Sequence, residues 1–235
     1  HAYSLWAGLQ LNADKTQVLP LGQAAPDIFP NASKSVNLLG LRLDGSLRFG
    51  LNHKEVSTSV KCRIGVIRRL QAHLPRGGLL RQIANALVVS RISSAAWLTV
   101  DARLPGSENR ATTHVLQTLL NSLARVLLGV RLCDKLRSAD LLDRAGLPSL
   151  NQLVIRGAAM AAWKASNGGP LAHLLLDHSA RSRAAANNLK TAAALSIAAH
   201  NLVACWNWSA DLRNAKTFLS AKKAAHRMAE TCRRI

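Results

Sequence analysis

At 235 residues the chain is long enough for one large domain or two small ones with a real core, and 49% hydrophobic but only 4% aromatic residues mean a core of Leu, Ala, Val and Ile. That composition favours helices, since Ala and Leu head the helix-propensity ranking. Lys and Arg number 31 against 12 Asp and Glu, a net charge of +19. So large an Arg-rich surplus suits a polyanion, because the guanidinium fork matches phosphate bidentately, and it ranks nucleic acid ahead of a membrane surface or a merely basic protein.

The chain opens with β signals. Gly8 to Gly22 reads as a loop around Asn12 to Lys15 feeding a strand from Thr16 to Leu21. A loop with Pro26, Pro30 and Asn31 follows. Val36, Leu38, Leu39, Leu41 and Leu43 then form a short strand with Arg42 opposite its leucines. Asp44-Gly45 is a strong two-residue hairpin signal, and Leu47 and Phe49 resume the alternation.

After Gly50 the period changes to that of a helix. Val56, Val60, Ile64, Ile67, Leu70 and Leu74 recur at helical spacing, with Lys61, Arg63, Arg68 and Arg69 largely off that stripe. Pro75-Arg76-Gly77-Gly78 ends this helix. A second is expected over Leu79 to Trp97, carrying Arg81 and Arg91, and a densely apolar third over Thr112 to Leu128, after a Pro105-Gly106 loop. Ser138 is placed to cap a short helix through Arg144, with Asp140 in its first turn and Gly146 closing it. Pro148 suits the first turn of a helix to about Ala165, stopped by Gly168-Gly169-Pro170, and its Gly157-Ala158-Ala159-Met160-Ala161-Ala162 segment permits close helix approach. Leu171 to Asp177 gives one or two turns before the basic Arg181-Ser182-Arg183. Thr191 to Cys232 reads as two helices joined near Asn207 to Asp211, the second with Lys216, Lys222, Lys223 and Arg227. The expected fold is α+β but mainly α, divided at 1–50, 51–180 and 181–235.

Cys62, Cys133, Cys205 and Cys232 form no Cys-x-x-Cys pair, so structural zinc is not expected; His200 with Cys205, or His226 with Cys232, read better as ordinary positions. So few cysteines fit a reducing compartment or indifference to one. The best uncharged run, Thr191 to Trp208, is interrupted by His200, Asn201 and Asn207 and does not read as transmembrane.

Gly8-Leu9-x-Leu11-Asn12-x-x-Lys15-Thr16, followed by Leu38-Leu39-Gly40-Leu41-x-Leu43-Asp44, resembles the end of the palm in non-LTR retrotransposon reverse transcriptases. Leu141-Leu142-x-x-Ala145-Gly146-Leu147-Pro148-Ser149-Leu150 is similar to the family's thumb-end segment. Ala204-Cys205-Trp206-Asn207, Leu212-Arg213 and Phe218-Leu219 look like its closing pattern, with Trp208-Ser209 where Leu-Pro is usual. The resemblance implies that Lys15 is a palm lysine, that Gly40 lies in a hairpin gripping the primer terminus, and that the first two helices, within a thumb-like region over 51–180, belong to a thumb that follows the minor groove of the template–primer duplex.

A polymerase needs carboxylates that hold two metal ions. The family takes these from an aromatic-x-Asp-Asp hairpin and an earlier Asp, both upstream of the matched stretch, and no two acidic residues are adjacent here. Asp140 and Asp143 read as a solvated helix start favoured by the macrodipole. No catalytic residue, metal or cofactor is therefore expected. The candidate nucleic-acid contacts are Lys15, Gly40, Arg42, Lys61, Arg63, Arg68, Arg69, Arg81, Arg91, Arg181, Arg183, Lys222 and Lys223. Gly40 reads equally as a bulge or close-approach glycine. Trp163, Trp206 and Trp208 read first as core anchors and second as stacking platforms.

Three functions compete. The first is a non-catalytic, reverse-transcriptase-derived RNA-binding protein, a structural subunit of a ribonucleoprotein (a ribosome, organellar ones included) in contact with other proteins and with no membrane. The second is the C-terminal part of an active polymerase whose catalytic half lies elsewhere. The third is a helical protein–protein adaptor, which would show no steep salt dependence towards RNA. Whether the compartment is organellar, nuclear or another intracellular one stays open.

Overall fold

The computed structural model describes residues 6, 8, 16–20, 32–45, 49–75, 77–102, 115–169 and 193–232. It divides into two compact units, His1–Asn52 and His53–Ile235, and is mainly helical with one small antiparallel sheet.

In the first unit, β1 (Ser35–Leu38) and β2 (Leu41–Asp44) form a hairpin in which Ser35 faces Asp44 and Leu38 faces Leu41. The chain reverses at Leu39 and Gly40, with φ of 52° and 81°, the two positive values of a type I′ turn. The expected turn at Asp44-Gly45 is thus corrected: Asp44 is the last paired residue of β2. Face segregation explains the choice. Folding at 39–40 puts Val36, Leu38, Leu41 and Leu43 on one face and Ser35, Asn37, Arg42 and Asp44 on the other. Gly45 is needed for proximity, because a Cβ there would lie 2.8 Å from the Pro20 carbonyl oxygen. The strand expected at Thr16 to Leu21 reduces, over its described residues, to a single parallel bridge between Val18 and Ala32. Pro20, with no N–H to donate, cannot extend it. Nor does Phe49 resume a strand; it is buried, at φ 56°, just before a helix begins.

That helix, α1 (Gly50–Leu70), buries Val56, Val60, Ile64 and Ile67 as its spacing predicts. The second predicted helix is found as one unbroken helical run in three parts: α2 (Gly78–Ala84), a π-helical segment (Asn85–Val89) and α3 (Ser90–Thr99). There follow α4 (Val115–Leu128), α5 (Ser138–Ala145), α6 (Leu150–Ser166), α7 (Ala193–Trp208), the single turn α8 (Ala210–Arg213) and α9 (Phe218–Thr231). One hydrophobic cluster joins all of them, from Val60 and Ile67 through Leu120 and Leu123 to Leu202, Leu212 and Met228.

Helix α6 is the central element, packed against α3, α7 and α9. Its Ala158, Ala159 and Ala162 are fully buried, and a Cβ on Gly157 would lie 2.7 Å from Cδ1 of Trp97. The small-residue run therefore does what its composition suggests. Pro148 does not begin this helix: Ser149 is its N-cap and forms a reciprocal capping box with Gln152. Ser138 is not a cap either. Its hydroxyl donates to Asn121 Oδ1 on α4 at 2.8 Å, and Arg137 occupies the cap position without a side-chain bond. Gly146 does close α5, at φ 63°, with its own N–H and that of Leu147 donating to the carbonyls of Asp143 and Leu142.

Candidate nucleic-acid interface

The apolar stripe of α1 faces the core, which turns its opposite side to solvent. Lys54, Lys61 and Arg68 are all exposed along one flank of that solvent side, at seven-residue intervals. Seven residues rise about 10.5 Å and turn almost a whole number of times, so the three cations stand in one row. Gly65 lies between Lys61 and Arg68 and adds no side chain to the row, while Arg69 is exposed beside it. Arg68 and Arg69 also stabilise the C-terminal end of α1 through its dipole. The helix carries a single carboxylate, Glu55, against Lys54, Lys61, Arg63, Arg68 and Arg69. Lys54 was absent from the sequence candidates, and only its heptad spacing to Lys61 and Arg68 could have signalled it.

Arg63 leaves the candidate set. It is half-buried, and its NH1 donates to the Leu87 carbonyl at 2.6 Å, bracing the π-helical segment from α1. Arg91 is half-buried with its Nε sealed from solvent, so it offers little to a ligand. Arg81 is exposed and lies over Gly146. Lys222 and Lys223 are exposed on α9, whose other face packs on α6. In the hairpin unit, Gly40 occupies the turn, and Arg42 donates through Nε and NH2 to the Ser35 hydroxyl at 3.2 and 2.9 Å. Lys15, Arg181 and Arg183 lie outside the described residues.

A basic loop escaped the sequence reading. Arg125 donates to the carbonyls of Arg131 and Asp134 at 2.6 and 3.3 Å, and Asp134 Oδ2 accepts from the Arg131 N–H at 2.9 Å. The loop so folded exposes Arg131, Lys135 and Arg137. Its signal was three cations within seven residues.

Trp163, Trp206 and Trp208 are structural. Trp163 donates its indole N–H to the Ala215 carbonyl at 2.8 Å and meets Phe218 edge-on at 6.1 Å, and Trp206 and Trp208 pack against the core. Burial pushes the Cys205 thiol up to about 12, helped by the neighbouring Cys232, whose own thiol is raised by burial to about 11. Both are therefore protonated near neutrality and are poor ligands and nucleophiles. Among the described residues no three His, Cys, Asp or Glu side chains gather into a metal-holding group, and no helix is long and apolar enough to cross a membrane.

No protein-family model, curated protein or solved structure matches this chain.

Proposed function

We propose that this chain is a non-catalytic RNA-binding protein, derived from a reverse transcriptase and serving as a structural subunit of a ribonucleoprotein. The row of Lys54, Lys61 and Arg68 on the solvent face of α1 carries this reading. A straight line of cations on a helix whose apolar stripe is locked into a core suits repeated phosphate contacts. It does not suit base readout, since nothing in the sequence resembles a sequence-reading module. The reverse-transcriptase derivation rests on the motif order along the sequence.

The test is a salt titration of RNA binding by the full chain, on duplex, hybrid and single-stranded ligands. Each phosphate contact releases counterions, so the wild type should lose affinity steeply as salt rises. The triple variant Lys54→Gln, Lys61→Gln, Arg68→Gln should reduce the log–log slope by about 2 to 3. Lys164→Gln, at an exposed position in the last turn of α6, should leave it unchanged. Equal slopes for the wild type and the triple variant would refute the α1 interface.

A further inference from the structure

We infer that Arg81 and the cleft beside it form a subsite for one unpaired nucleotide, an inference that rests on the RNA-binding reading and specifies a second mode of contact. A Cβ built on Gly146 would lie 2.8 Å from Arg81 NH1, 2.9 Å from Cζ and 3.2 Å from Nε. Three atoms of one planar group nearly equidistant from a point face that point with the plane, not with an edge. One face of the guanidinium is therefore laid on the left-handed glycine that ends α5, and the other face is turned away from it. Only glycine permits this approach, both for its φ of 63° and for the space the guanidinium fills.

A guanidinium held there merely to cap α5 would donate to the last carbonyls of that helix. Those of Leu142 and Asp143 already accept from the backbone N–H groups of Leu147 and Gly146. Among the described residues the Arg81 side chain makes no hydrogen bond or ion pair, so its five N–H donors are uncommitted. Next to it opens a cleft of about 170 Å³, lined by Leu80, Leu127, Leu128 and Ala145 with Gly77 and Arg81. The combination is a splinted planar cation beside an apolar wall. A splayed base stacks on such a plane, and its phosphate takes the N–H edge. The other lining side chains are all apolar, so the subsite accepts a base without reading which one it is.

The probe is a single-stranded RNA pentamer with a central 2-aminopurine, whose fluorescence is quenched by stacking, added to the full chain. Wild-type protein should quench it. Arg81→Lys, which keeps the charge and removes the plane, should bind the pentamer roughly tenfold more weakly and lose the quenching. Gly146→Ala, which pushes the guanidinium off its support, should lose the quenching as well. Duplex RNA binding and its salt slope should be nearly the same in Arg81→Lys as in wild type. Undiminished quenching and affinity in Arg81→Lys would overturn the subsite. So would a wild type that binds duplex RNA with a steep salt slope but does not quench, and in that case the α1 interface would stand. Failure to bind either RNA would sink both.

Discussion

Arg63 and Lys61 are neighbours of the same charge, yet they belong to different parts of the protein. Lys61 stands in the exposed row of α1, while Arg63 turns inward to the Leu87 carbonyl. Removing Arg63 leaves a carbonyl of the π-helical segment without its charged donor, at a cost of roughly 1–2 kcal/mol. Arg63→Met should therefore lower the urea midpoint and leave the RNA salt slope alone. Lys61→Gln should do the reverse, and both are read by equilibrium unfolding beside a binding titration.

The cysteines separate in the same way. Cys62 and Cys133 are exposed, whereas Cys205 and Cys232 are buried. A chromogenic disulfide reagent at pH 8 should label the first pair rapidly and the second only in denaturant. The folded state raises the Cys205 and Cys232 pKa values above 9.0, to about 12 and about 11. It therefore holds on to protons that the unfolded chain releases. Their contribution is fully present below pH about 9 and is lost progressively as the pH rises through 11 to 12. Cys205→Ala should flatten that alkaline decline, measured as urea midpoint against pH relative to wild type.

At the scale of elements, the join between α3 and α7 depends on one polar side chain. Asn201 is fully buried, accepts from the Ala102 N–H at 2.7 Å, and donates to the carbonyls of Trp97 and Val100 at 2.8 Å each. Those carbonyls are among the orphans that every helix C-terminus leaves. Asn201→Leu strips three partners at once and should cost about 3 kcal/mol, since buried groups left unsatisfied lose their full desolvation penalty. A loss under about 0.5 kcal/mol in urea unfolding would show that water replaces the amide. The sequence marked Asn201 only as an interruption in an apolar run, because its partners lie about 100 residues away.

The same reason separates what was legible from what was not. Helical spacing from Val56 to Ile67 and the stop at Gly146 depend on neighbours along the chain, and both are found where the sequence places them. Ser138 looked like a cap until α4 brought Asn121 to its hydroxyl. The hairpin turn moved from Asp44-Gly45 to Leu39-Gly40 because pairing across the strands outweighed the stronger local turn signal. Of the interface, the charge sign and the α1 stripe could be read. The inward turn of Arg63 and the seat of Arg81 on Gly146 could not, since each requires a second helix.

For the whole molecule, a net charge of +19 works against folding and towards ligand binding. Cations crowded on a folded unit repel each other more than they do in the expanded chain, and the folded state bears that cost. Among the described residues, internal ion pairs offset little of it. Arg227–Asp211, at 2.8 Å, is exposed on both sides and worth at most about 1 kcal/mol. Arg156–Glu230, at 3.2 Å, is better sheltered and is joined by Gln152, but it ties α6 to α9 without shielding the α1 row. Added salt screens the repulsion over a Debye length that falls from about 10 Å at 0.1 M to about 3 Å at 1 M. The melting temperature of the unliganded chain should therefore rise by several degrees between 0.05 and 0.5 M potassium chloride, while RNA affinity falls over the same range. With RNA present the sign should invert at low salt, because a bound polyanion stabilises only the folded state and by more the tighter it binds. A melting temperature that falls with salt in the unliganded chain would mean that attractive pairs, not the cationic surplus, dominate its electrostatics. On the proposed RNA-binding function, the opposite salt trends of stability and affinity would have one origin: the cations that strain the unliganded protein would be those that RNA neutralises.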